Sequence, residues 1–161
     1  MTKIHGITSG NCVLDPNVFW GYWFFIMTPS RKIYLTDRDM DRLQKMIAIH
    51  GRDPKVLELQ DELNRATVVP EELIPPNVVT MNSRVRFEDI DAGKKMDVTL
   101  VYPKDATPGS DRISIMSPEG MAMLGLSVGQ TIEWPLPEGK VKRLKVLSVL
   151  YQPEASGDWD L

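Results

Sequence analysis

The 161-residue chain holds one cysteine, Cys12. That excludes a disulfide within the chain and a cysteine-based zinc site. Two histidines, His5 and His50, leave almost nothing for histidine catalysis or metal ligation. Positive charge is not in excess: 19 Lys and Arg stand against 22 Asp and Glu, a formal net charge of −3. A protein that grips nucleic acid by neutralising phosphates carries the opposite balance. No apolar run reaches the roughly 20 residues of a bilayer-spanning helix. The start lacks a strongly basic stretch and a small-residue cleavage site, so it does not read as a secretory signal. Gly120, Gly125 and Gly129 make no phosphate loop, because no Gly-Lys-Ser/Thr follows them. What is present is a globular composition, 42% hydrophobic and 25% charged, enough for one modest core. These exclusions leave a cytoplasmic protein that works by binding, with no metal or cofactor expected.

The first segment is unlike the rest. Val18 to Met27 crowds Phe19, Trp20, Tyr22, Trp23, Phe24 and Phe25 into ten positions, half of the chain's aromatic residues. Such a run suits an interfacial membrane anchor. It equally suits an upstream extension, since Met27 opens an ordinary polar start, Thr28-Pro29-Ser30-Arg31-Lys32. Residues 1–26 are read as that extension, and no membrane role is expected.

A helical hairpin is expected over residues 36–66. Thr36 and Asp39 resemble a capping box, with Asp in place of Glu or Gln. Met40, Leu43 and Ile47 recur at helical spacing, widened by Met46 and Ile49, and Gly51 is a C-cap. Asp53-Pro54 restarts a helix as N-cap and N1, with Val56, Leu59 and Leu63 as its stripe. So short a connection makes the helices antiparallel neighbours, a short coiled coil. Each is expected to run about 13–15 residues, about 20–22 Å. The two stripes either satisfy each other, giving a monomer, or pair with a second copy; the monomer is the expectation.

Residues 67–77 read as a connector. Pro70-Glu71-Glu72-Leu73 makes one helical turn, and Pro75-Pro76 stops it and stiffens the link. Residues 78–153 read as a sheet domain, with 154–161 a tail. Val78-Val79-Thr80 and Ser83 to Phe87 are expected as strand, as is Lys95 to Tyr102, with Met96, Val98, Leu100 and Tyr102 on one face. Arg112 to Met116 is a short strand. Ser117 and Pro118 then open a short helix from Glu119 to Leu124. Thr131 to Trp134 and Lys142 to Tyr151 complete the sheet. The fold class is α+β, with a mostly antiparallel sheet behind the hairpin.

Several of these stretches resemble a known family. The phrase VVTMNSRV (78–85) and the segment ISIMSPEGMAMLGLSVGQTIEWPLPEG (113–139) resemble the C-terminal domain of the bacterial Gre transcript-cleavage factors. Together with LVYP (100–103), LGLSVG (124–129) and YQPEASGDW (151–159), they are most similar to the Rnk family, the regulators of nucleoside diphosphate kinase. The resemblance runs from about Thr36 to Leu161. It implies an FKBP-like C-terminal fold and a protein that binds RNA polymerase at the rim of its secondary channel.

The resemblance also brings a mechanism that the residues test. Gre factors reach down the channel with a long coiled coil and place two neighbouring carboxylates beside the polymerase active site. Those carboxylates help hold a magnesium ion that activates water. The hairpin here is short, and its tip reads His50-Gly51-Arg52-Asp53-Pro54, one Asp spent on capping beside an Arg. Asp37, Asp39, Asp41, Glu71 and Glu72 lie at its base. Binding without RNA cleavage, in competition with Gre factors, is therefore expected. In the Gre family the strand-to-helix junction touches a coiled coil of the largest polymerase subunit. The matching positions here are Met116, Ser117, Pro118 and Glu119. Met116 stands where Gre proteins often carry an acid, and an exposed Met is an adaptable apolar contact. Taken alone, Ser-Pro is also a plain helix start.

Other features carry less. Lys140, Lys142, Arg143 and Lys145 alternate with apolar residues, as on the wet face of a strand, so direct nucleic-acid binding is not expected. His50 suits the negative end of a helix dipole. A nucleoside diphosphate kinase needs a nucleophilic His in a nucleotide pocket, which a hairpin tip does not provide, so no enzyme activity is expected. The rival reading is an FKBP-like peptidyl-prolyl isomerase or peptide-binding module. It needs a concave aromatic pocket, drawn from Phe87, Tyr102, Trp134, Tyr151 and Trp159.

Overall fold

A computed structural model describes residues 32–51, 53–135 and 140–158. The 1–26 extension with Cys12, His5 and the aromatic run, the start at Met27, Arg52, Pro137, Gly139 and Trp159 lie outside the described residues.

The chain enters as a two-residue strand, β1 (Tyr34–Leu35), and turns into helix α1 (Asp37–His50). Thr36 caps α1, its hydroxyl accepting from the Asp39 N–H at 3.0 Å. Gly51, at φ 67° and ψ −127°, ends the helix in a conformation that a side chain disfavours. Asp53 caps helix α2 (Pro54–Asn64) through Oδ1, which accepts from the Lys55 N–H at 2.9 Å. At 11 residues α2 is shorter than its periodicity suggests. Ala66 already hydrogen-bonds back to Leu63, and Thr67 starts a strand. That strand, β2 (Thr67–Val68), pairs in parallel with β1 and ties the base of the hairpin. The expected turn in the connector is a 3-10 helix, Glu71–Leu73.

The sheet that follows has five strands: β3 (Arg84–Asp89), β4 (Lys94–Val101), β5 (Arg112–Ser114), β6 (Thr131–Pro135) and β7 (Val141–Tyr151). Their spatial order is β5-β4-β3-β7-β6, antiparallel except for β5 on β4. A six-residue helix, α3 (Pro118–Met123), connects β5 to the turn before β6. A single helical turn, α4 (Pro153–Ser156), follows β7. This is the expected α+β architecture, a helical hairpin followed by a mostly antiparallel sheet with the short helix α3; the single turn α4 adds to that expectation.

Three further details, within the sheet domain, differ from the sequence reading. Val78-Val79-Thr80 is no strand: Val78 makes one isolated bridge to Ser127, and residues 80–83 form a turn closed by Ser83 Oγ on the Thr80 N–H. The apolar pair is still buried, which is why it reads as a strand. Met96 faces the same way as its partner Phe87 but keeps 36% of its surface exposed, near the turn end of the ladder. Strand β5 stops at Ser114, because the backbone then folds into the turn that starts α3.

One core serves hairpin and sheet. Leu43, Met46, Leu59 and Leu63 belong to the same buried cluster as Val85, Phe87, Leu100, Ile115 and Val146. Burying such side chains is the main stabilising term, about 1.5–3 kcal/mol each.

Candidate partner-binding site

The junction between β5 and α3 is built by short hydrogen bonds. Ile115 N–H donates to the Val101 carbonyl at 2.9 Å, the last rung to β4. Ser114 Oγ accepts from the Met116 N–H at 3.2 Å, and the Ser114 carbonyl accepts from the Ser117 N–H at 3.0 Å. Ser117 then caps α3, its Oγ accepting from the Gly120 N–H at 3.0 Å, with Pro118 at N1. Pro118 is exposed, while Met116, Ser117 and Glu119 are half-buried. The expectation of an exposed Met is corrected in part: Met116 also packs against the core. The four residues are therefore presented on a fixed turn.

Among the described residues of the hairpin tip, the one carboxylate is spent on capping. Asp53 is exposed, and its Oδ1 is occupied by the Lys55 amide. Arg52, the other expected tip residue, lies outside the described residues. The 14 residues of α1 make a rod of about 21 Å. Among the described residues, no group of three or more His, Cys, Asp or Glu is placed to hold a metal ion.

At the base of the hairpin the acids have structural work. Tyr102 donates its hydroxyl to Asp39 Oδ1 at 2.7 Å, both residues being buried. Burial pushes the Asp39 carboxyl above the usual range. The Tyr102 hydroxyl, Arg42 and Arg38 oppose the shift, and the negative charge of Glu71 adds to it. Burial and then Asp39 push the Tyr102 phenol well above its ordinary value. Glu154, on α4, accepts from the Thr80 hydroxyl at 2.8 Å, and burial raises its carboxyl too. Gln152 straps the connector to the end of β7, its Nε2 donating to the Pro75 carbonyl at 2.9 Å and the Val78 carbonyl at 2.8 Å.

The Asp39–Tyr102 pair is what the sequence reading missed. As a capping-box residue Asp39 would turn its carboxylate back to the Thr36 N–H; it accepts from Tyr102 instead. The signal was there: Asp39 sits four residues before Leu43 and seven before Met46, on the buried stripe of α1.

The remaining features resolve into structure. Lys142 pairs with Asp89 at 3.6 Å and Arg143 with Asp91, so acids at the end of β3 and in the turn after it answer two of the four cations of the basic stretch. Arg86 holds Asp97 through Nε at 2.7 Å and a second nitrogen at 2.8 Å, depressing the Asp97 carboxyl. Of the aromatics that an isomerase pocket would need, Phe87 and Tyr102 are buried in the core. Trp134 packs its ring against Phe87 at 6.4 Å between centroids. No helix among the described residues is long and apolar enough to cross a membrane.

A helical hairpin on a curled sheet, with a Ser-Pro junction leading into one short helix, defines a relative of the Gre-type transcription factors. Residues 74–151 match the family described as transcription elongation factor GreA/GreB, C-terminal, and residues 31–69 match the Rnk N-terminus. The regulator of nucleoside diphosphate kinase of Escherichia coli (strain K12) is 41% identical over 129 residues, 79% of this chain and 95% of that protein. A solved prokaryotic transcription elongation factor GreA/GreB from Nitrosomonas europaea is 44% identical at a TM-score of 0.68. It covers 77% of this chain and 100% of that one. Transcription elongation factor GreA of Clostridium botulinum (strain Eklund 17B / Type B) is 34% identical over 95 residues, 59% of either chain. The chain belongs to the regulator of nucleoside diphosphate kinase family, joined to the Gre factors through its C-terminal part.

Proposed function

We propose that this protein is a cytoplasmic, monomeric transcription regulator. It docks on RNA polymerase at the rim of the secondary channel and competes there with Gre factors without stimulating RNA cleavage. The docking surface is Met116, Ser117, Pro118 and Glu119, offered to the coiled coil of the largest polymerase subunit. One observation carries the reading: a Gre-type C-terminal part follows a hairpin of about 21 Å whose tip acid, Asp53, is spent on capping α2. The domain that docks is kept, and the paired acids on a long arm are not. Asp53 marks how far the described hairpin reaches, and neither it nor its sequence neighbour Arg52 is assigned a catalytic role. The division into hairpin (36–66), connector (67–77), docking domain (78–153) and tail (154–161) belongs to the same reading.

Binding of the labelled full chain to polymerase core tests it. Pro118→Glu is the informative variant, because position N1 of a helix accepts an acid and the side chain is exposed. The fold stays intact, yet a charge enters the contact. Affinity falls at least about tenfold if the junction docks. Unchanged affinity contradicts this placement of the surface.

A further inference from the structure

Gly120 holds no left-handed backbone; it lies in the first turn of α3, where alanine is ordinarily the better helix former. What it supplies is space. A Cβ built there would sit 2.0 Å from the carbonyl oxygen of Ser114, 2.7 Å from its carbonyl carbon and 3.0 Å from Ile115 Cα. All three obstacles are backbone atoms, so no side chain can swing aside. The Ser114 carbonyl is also the group that accepts from the Ser117 N–H. The first turn of α3 thus rests directly on the end of β5.

The helix cannot withdraw to make room. Gly120, Met121, Ala122 and Met123 are buried along its length. Its far end is pinned at Gly125, φ +77°, where an added Cβ would meet Ile33 Cγ1 at 2.9 Å and Ile33 Cα at 3.0 Å. The Gly125 N–H is further held by the Val79 carbonyl at 2.9 Å. A side chain at 120 therefore has to displace the hydrogen-bonded turn that it faces, which carries residues 116–119.

We propose that Gly120 is a positioning residue for partner docking: its missing side chain lets α3 rest on the Ser114 carbonyl and so fixes how Met116, Ser117, Pro118 and Glu119 are presented. This rests on the docking reading above. Gly120 itself touches no partner; it acts through the junction.

The test compares the affinity of the native chain and three variants for polymerase core, at a temperature where circular dichroism shows each fully folded. Gly120→Ala forces the junction apart. Ser114→Ala loosens the same clasp without a clash, removing the acceptor of the Met116 N–H. Gly129→Ala is the control: at φ +93° with open space around it, it strains the backbone outside the junction. Gly120→Ala is expected to bind at least about tenfold more weakly and Ser114→Ala about threefold, with Gly129→Ala at native affinity despite a lower Tm. If Gly129→Ala loses as much affinity as Gly120→Ala while both are folded, backbone strain away from the junction weakens binding equally, and that result overturns the inference. Should Gly120→Ala fail to fold, Ser114→Ala decides: weakened binding supports the inference and native binding overturns it. If native protein binds and Pro118→Glu does not, yet Gly120→Ala binds as native, this inference alone falls. If native protein does not bind, the docking reading falls and takes the inference with it.

Discussion

Asp39 shows how one residue couples sequence, packing and pH. It sits at a core position of α1 and keeps its carboxylate there because Tyr102 supplies a hydroxyl at 2.7 Å. Tyr102→Phe leaves that buried acceptor without its donor. The expected cost is about 1–3 kcal/mol, read from urea unfolding at neutral pH. The carboxyl's pKa is raised in the folded state, chiefly by burial. A group of that kind contributes stability below its unfolded pKa and loses it as pH rises through the folded one. Arg38, Arg42, Glu71, Glu154 and Tyr102 are the charged or titratable groups around it. Asp39→Asn keeps the acceptor and removes the titration. Relative to native protein, the variant should gain stability as pH climbs from the ordinary carboxylate range to neutrality. A flat or opposite difference in urea midpoints contradicts this. In the sequence this residue was legible only as a cap, because its partner Tyr102 lies 63 positions away.

The hairpin and the last strand show what an element's pattern reveals and what it hides. Both helices were legible because Thr36, Gly51, Asp53 and Pro54 mark their ends with local chemistry. If Asp53 serves as a cap, Asp53→Ala should cost about 1 kcal/mol in thermal unfolding, while Asp53→Asn costs a few tenths. Equal losses in both would mean that the charge matters instead. Strand β7 was legible in its bounds, Lys142 to Tyr151 against Val141–Tyr151, but not in its faces. Its ladder with β3 shifts register twice, between Arg84 and Val85 and between Arg86 and Phe87, so alternation breaks after Val146. Leu147, Val149 and Leu150 therefore give no clean inside-outside pattern. The junction at 116–119 was legible as a Ser-Pro helix start. What was not is the close backbone approach at Gly120, since a glycine carries no sign of what lies against it.

At the scale of the molecule, the hairpin is not an appendage: its buried leucines share a cluster with the sheet. Leu59→Ala, at a fully buried site, should cost about 2–5 kcal/mol. Hydrogen exchange should then show amides of α1 and β3 losing protection together. Loss confined to the hairpin would separate the two. The proposed function rests on a Gre-type C-terminal part behind a short hairpin whose tip acid, Asp53, caps α2. Its most direct test is a titration of the full chain into polymerase core carrying a labelled Gre factor, with RNA cleavage followed in the same tubes. The account predicts that the Gre factor is displaced and cleavage falls in proportion. A Gre factor that stays bound, or cleavage that rises as this protein is added, would contradict it.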